Sequence, residues 1–288
     1  MKWGSSMCKR RGSFYTQIKH DLLIGILHEK LRYVPVFLIF IFSCVYFQNM
    51  VDRGASHEIT SSIPSYSDYI IQIFKGMEIY QENRPFEIPV TWLLINIYIV
   101  YLVSYYPFQD LNGYGQLIIL HSKNRKQWWL SKCIWNISTV LTFYLIGYIV
   151  VFLFTLLSGD IAFQRNEDIN LLVSRVNTAN FQPESLLIIG FILPIITSIA
   201  ISLFQMTLTL FCRPIFSCII VITLLVASAY SSFPLLIGNY LMILRNNMIS
   251  LGEGVYATIG ILLSISLSIF SILIGFVRFR NLDILYKD

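Results

Sequence analysis

Charge is what this chain has least of. Asp, Glu, Lys and Arg make up 13% of its 288 residues, while 56% are hydrophobic and the mean hydropathy is +0.65. An ordinary soluble domain carries about 25% charged residues, so a water-soluble globule is excluded, and so is a disordered chain. Cysteine is sparse as well. Cys8, Cys44, Cys133, Cys212 and Cys218 lie in the N-terminal segment or in apolar runs without CxxC spacing, which leaves neither a disulfide framework nor a metal cage. The excess of 21 basic over 16 acidic residues is too small for a nucleic-acid binder, so no nucleic-acid partner is expected.

Catalytic motifs are missing too. No GxxxxGK[ST] loop occurs, so the chain is not expected to bind and hydrolyse ATP in the P-loop manner, and no HExxH occurs. His20, His28, His57 and His121 are scattered over polar segments, with His20 and His28 expected to be solvated. An enzyme therefore has no visible catalytic site, and no cofactor of its own is expected.

Long apolar runs are what the sequence has instead. A helix crossing a hydrocarbon core of about 30 Å needs about 20 apolar residues, and six runs free of Asp, Glu, Lys and Arg approach or exceed that length: residues 33–50, 90–108, 133–157, 186–212, 214–233 and 254–277. Spanning segments must satisfy their backbone hydrogen bonds internally, and the ten-residue alternation of a barrel is absent. The expected fold is an all-α integral membrane protein with six transmembrane helices. It divides into a cytoplasmic N-terminal segment, residues 1–32, and one transmembrane domain, residues 33–288. The first run is too long for a signal-peptide core and lacks a small-residue cleavage site, so it reads as a retained helix.

The charges between the runs orient the bundle. Fifteen Lys and Arg fall on one side and six on the other, and the basic side is cytoplasmic, which puts both termini there. With no ionisable group inside a run, a gradient-driven transporter lacks the buried sites it usually relies on. Asn96, Asn136 and Gln205 read as amides holding helices together. Pro194 is expected to bend the fourth span. Gly260, Ser264 and Ser268, at i, i+4 and i+8, form a small-residue stripe for close helix packing.

Between the runs, residues 13–32 read as an amphipathic interface helix capped by Ser13. Tyr15, Ile18, Leu22, Leu23, Ile26 and Leu27 form its apolar side, and Gln17, His20, Asp21 and His28 lie opposite. A short helix is expected around residues 69–80 of the long outer loop. Residues 234–253 mix apolar and polar positions, and read either as a re-entrant pair of short helices before the last span or as a simple surface loop.

The cytoplasmic stretch 110–132 is the most informative. Leu117 to Leu120 is too short to span, and a surface helix there would present Ser122, Lys123, Arg125 and Lys126 to the cytosol. Trp128 and Trp129 then fall where a span begins, the usual place for interfacial anchors. The cations are either a docking surface or positive-inside charges, each worth about 1 kcal/mol against anionic lipid.

This organisation resembles the ABC-2-type permeases, the membrane subunits of ATP-binding-cassette transporters. An amphipathic cytoplasmic helix, six spans, a surface helix after the second span and a broken segment before the sixth carry the resemblance over most of the chain. The strings Tyr106-Pro107-Phe108-Gln109-Asp110-Leu111 and Trp128-Trp129-Leu130-Ser131-Lys132 are similar to a subgroup from low-GC Gram-positive bacteria, while the long first outer loop departs from the most compact members. The resemblance implies an elbow helix at residues 14–30, a coupling element at 113–126 containing Leu117, Leu120 and His121, and a re-entrant segment at 232–250. It implies a separate ABC ATPase subunit that uses the ATP, a second permease subunit, a bacterial plasma-membrane location, and export of a hydrophobic or amphipathic substrate such as a drug, lipid or antimicrobial peptide. A non-transporting membrane scaffold or immunity protein is the rival reading, with a secondary transporter and a membrane enzyme behind it.

Overall fold

The computed structural model describes residues 14–56, 63–80, 88–111, 113, 115, 125–158, 160–161, 163–178, 183–250 and 252–281, and among them the fold is helical, with two isolated bridges and no sheet. Helix α1 (Phe14–Leu22) continues as a π-helical turn, Leu23–His28. A 3-10 turn, Lys30–Tyr33, leads into α2 (Val34–Ser56). Then come α3 (Tyr66–Phe74), α4 (Val90–Ser104), α5 (Tyr106–Leu111) and α6 (Arg125–Ser158). A π-helical segment, Ile188–Ile192, joins α7 (Pro183–Leu187) to α8 (Leu193–Leu208). Helices α9 (Pro214–Tyr230) and α10 (Ala257–Arg280) complete the bundle, with two 3-10 turns, Ile237–Leu241 and Ile243–Arg245, between them.

Five continuous helical stretches are long and apolar enough to cross a membrane: Lys30–Ala55, Val90–Leu111, Arg125–Ser158, Glu184–Leu208 and Ala257–Arg280. The fifth expected span, Pro214–Tyr230, has 17 helical residues and reaches about 26 Å at a rise of about 1.5 Å per residue. The third helix corrects the expected boundary, because it starts at Arg125 rather than at residue 133 and takes Lys132 and both tryptophans into its first two turns. Pro194 has no N–H to offer the preceding turn. Beside it the fourth helix widens into π-helical form over Ile188–Ile192, which is where the interruption falls.

Helix α6 runs against α1, α2 and α8, and α8 packs most extensively on α10. Phe40 and Phe143 meet edge to face at 5.8 Å, and Phe47 and Tyr69 at 5.1 Å, in a core where all four side chains are fully buried. The amides partly behave as expected. Ser202 Oγ donates to Asn136 Oδ1 at 2.6 Å and Gln205 Nε2 donates to the Val100 carbonyl at 2.9 Å, so these two cross between helices. Asn96 instead donates to Trp92 O within its own helix.

The small-residue stripe of α10 packs inward at Gly260 and Ser264. A Cβ on Gly260 would stand 2.4 Å from the Tyr240 ring, and Ser264 Oγ lies 3.1 Å from Thr197 Oγ1 of α8. Ser268 is half-buried and donates to Ser264 O of its own helix, while the buried line continues through Ser271, Gly275 and Phe279.

Two segments outside the long helices are folded against the bundle. Helix α3 begins at Ser65, three residues before Asp68, in a capping box, and it lies nearer the N-terminus than the expected residues 69–80. Asp68 is fully buried. It accepts from Ser65 N, Ser65 Oγ, Asn166 N and Asn170 Nδ2 and so ties α3 to the loop of residues 163–170. The segment before the last helix is no surface loop, because residues 238–246 are buried throughout. Its Arg245 is 1% exposed, donating to Met77 O at 3.1 Å and to Ala229 O at 2.7 Å near the C-terminus of α9, where the helix dipole favours a cation. Burial pushes the Arg245 guanidinium down to about 10. The 3-10 turns are thus covered by the rest of the protein.

Candidate functional site where the first helix meets the bundle

Helix α1 turns its polar side to the protein. Asp21 is 2% exposed, whereas Tyr15 and Leu27 on the apolar side are 72% and 62% exposed. In lipid such an orientation is economical, since the hydrocarbon accepts the apolar face and the bundle must supply partners for the polar one. Those partners come from α5 and α6.

Lys132 Nζ lies 2.6 Å from Asp21 Oδ1 and 2.8 Å from Asp110 Oδ2, with its own side chain 1% exposed. Three neutral donors complete the shell. Tyr106 OH and Ser131 Oγ donate to the two oxygens of Asp21, and Trp128 Nε1 donates to Asp110 Oδ2 at 2.9 Å. The ammonium also sits over the Tyr106 ring at 4.5 Å and the Trp128 ring at 5.2 Å, where the ring quadrupoles favour a cation. One cation facing two carboxylates leaves a net negative charge, and the hydroxyl and indole donors are what let it persist in a buried place. Among the polar neighbours, His20 Nδ1 stands 3.7 Å from Asp21 Oδ1, beyond hydrogen-bond reach.

Gly115 closes the cluster. A Cβ there would come 2.3 Å from Asp110 Oδ2 and 2.8 Å from Trp128 Nε1, so only glycine lets the backbone pass so close. The cluster consequently fastens three things together: the N-terminal helix, the end of the second long helix, and the beginning of the third. Asp110 and Lys132 flank the basic segment between those helices on either side. The cluster's groups hold one another, and their geometry suits mechanical fastening.

Of the residues singled out in that segment, Leu117, Leu120, His121, Ser122 and Lys123 lie outside the described residues. Arg125 donates to Arg280 O at 2.9 Å, and Lys126 Nζ lies 5.5 Å over the Phe276 ring, so both meet the last helix. Trp128 and Trp129 depart from the anchoring expectation. Each is 1% exposed, Trp128 stacks on Phe279 with centroids 4.6 Å apart, and Trp129 Nε1 donates to Ile272 O. An anchor must meet the interface, whereas these indoles cement α6 to α10.

Sequence reasoning placed Asp21 on the polar side of an interface helix and counted Asp110 and Lys132 among the charges between runs. Signals for the site were present in retrospect. Gln17, Asp21 and Gly25 fall at i+4 spacing along α1 and the turn that continues it, and a glycine beside an acid on the same stripe marks close approach to another element. Asp110 is also the lone acid in an otherwise basic segment. Among the described residues no three His, Cys, Asp or Glu side chains gather into a possible metal site.

Long apolar helices closed by a buried ionic fastening at one end define a helical membrane protein. The chain belongs to the family described as protein of unknown function (DUF2705), whose model matches residues 76–285. Neither a curated protein nor a solved structure matches it.

Proposed function

We propose that this chain is the membrane subunit of an ATP-driven transporter, an ABC-2-type permease that exports a hydrophobic or amphipathic substrate and is powered by a separate ATPase. In this reading six spans, Pro214–Tyr230 being the short one, place both termini in the cytoplasm of a bacterial plasma membrane, and two permease subunits work with two ATPase chains. The observation that carries it is the Asp21–Lys132–Asp110 cluster. A push on the segment between Asp110 and Lys132 reaches α1 and two long helices at once, because the ions clamp both of its ends to the same point. The segment thereby acts as a lever for a docked ATPase, and α1 serves as the elbow that moves with it.

The test compares two variant sets in complexes reconstituted with the ATPase that co-purifies with the tagged chain from its own membranes. Replacing Lys123, Arg125 and Lys126 with Gln removes three charges worth about 1 kcal/mol each near anionic lipid and is expected to spare the complex. Replacing Leu117, Leu120 and His121 with Ala is expected to leave the ATPase bound but no longer stimulated. Wild-type stimulation in both sets, or failure of any ATPase to co-purify with the intact chain, overturns the reading and leaves a membrane scaffold.

A further inference from the structure

A cleft of about 990 Å³ opens between α2, the loop after α3 and the start of α4. Its size lies at the upper end of small-molecule sites. One wall follows α2 from Pro35 to Tyr46, a length of about 16 Å at the helical rise, and its apolar residues are turned outward: Phe42 is 67% exposed and Leu94 of the facing α4 is 50% exposed. The other end is polar. Among the described residues Lys75, Glu78 and Arg175 bring charge to its lining, two cations against one anion.

Arg175 is held there at a conformational cost. Its φ is 55°, the left-handed region that a side chain other than Gly or Asn avoids, and it is the only such non-glycine among the described residues. Its neighbours explain how it stays. Ser174 and Val176 on either side are fully buried, and their amides donate to Ile169 O and Asn170 O. The backbone is pinned on both sides, and the exposed guanidinium between them is delivered to the lip of the cleft. Retained strain of this kind concentrates at binding sites.

We propose that this cleft binds one anionic phospholipid, with an acyl chain along α2 and α4 and the phosphate between Arg175 and Lys75. The inference does not depend on the transport reading. A long apolar wall together with described charges of positive balance matches a molecule with both parts, and neither a free anion nor a neutral lipid uses all of it.

The experiment takes the full-length protein in an uncharged detergent. It is mixed with equal amounts of dioleoyl phosphatidylglycerol and dioleoyl phosphatidylcholine, and the bound lipid is weighed by native mass spectrometry. Phosphatidylglycerol is expected to be retained preferentially. Arg175→Asn keeps a residue that tolerates the left-handed backbone and is expected to weaken that lipid about fivefold, or about thirty-fold together with Lys75→Gln. Glu78→Gln, which leaves the apolar wall intact and raises the positive balance, is expected to strengthen it. Leu94→Trp narrows the wall and is expected to weaken both lipids. Equal retention of the two lipids by the native protein overturns the proposal, as does unchanged preference in either the cation or the Glu78 variant. Displacement of phosphatidylglycerol by millimolar glycerol phosphate would also overturn it, reducing the lip to a simple anion site.

Discussion

Lys132→Met tests the ionic cluster most directly. The substitution keeps the volume and the apolar stem of the side chain and removes only the charge, leaving Asp21 and Asp110 facing each other. Their oxygens touch the same ammonium at 2.6 and 2.8 Å, so they stand no more than about 5.4 Å apart, and two unit charges at that spacing repel by roughly 3 kcal/mol at an effective dielectric of about 20. Removing one partner from a buried ion pair costs about 3–5 kcal/mol in general, and the two figures agree. The variant is therefore expected to lose about 3–5 kcal/mol in thermal or denaturant unfolding in lipid nanodiscs. Hydrogen exchange should locate the damage, with protection lost along α1 while the α3 region keeps its own. The control replaces the whole set, Asp21→Asn, Asp110→Asn and Lys132→Met. Exchanging a complete buried ion set for neutral groups is often close to neutral, so most of the loss should return. A cost below about 1 kcal/mol for Lys132→Met, or a triple variant no better than the single one, would refute the claim that these charges hold α1 to the bundle.

Other consequences can be checked independently. Gly115→Ala forces a methyl group into the space held by Asp110 and the Trp128 indole, and an overpacking cost of about 1–3 kcal/mol is expected, read by the same unfolding assay and accompanied by exposure of α1. At the other end of the molecule, burial raises the Asp68 carboxyl above the ordinary carboxylate range despite its four donors. A raised folded-state pKa contributes stability that is complete below the unfolded value and is lost as pH rises through the folded one. Exchange protection of residues 163–174 should accordingly fall across that window, and Asp68→Asn should flatten the dependence. For orientation, a cysteine at Leu171, which is 55% exposed, should react with an impermeant maleimide from outside intact cells, and one at the exposed Lys126 should not. Reaction at Lys126 from outside would invert the orientation drawn from the charges.

Much of the architecture was legible without coordinates. Bilayer-length runs such as residues 254–277 can satisfy their backbone only as helices, and α10 forms there from Ala257 onward. The cross-helix bonds of Asn136 and Gln205 follow from the absence of water partners in an apolar run, while Ser13, the expected cap of the first helix, lies outside the described residues. Gly260 and Ser264 were readable because small residues at i+4 spacing have little use on a helix other than to let another element approach.

What the tertiary structure alone decided is which way each face points and which distant charges meet. In water an apolar stripe marks the core, but in lipid an apolar residue is as content outside as inside, so Leu262 of α10 ends 69% exposed while Trp128 and Trp129 of α6 are sealed inside. For the same reason α1 could bury Asp21 and show Tyr15 outward. Asp21 lies 111 residues from Lys132, and no periodicity within α1 or α6 encodes that distance. Only the packing of α1, α5 and α6 brings the three charges to one point, and Coulomb attraction in a place without water then holds them there.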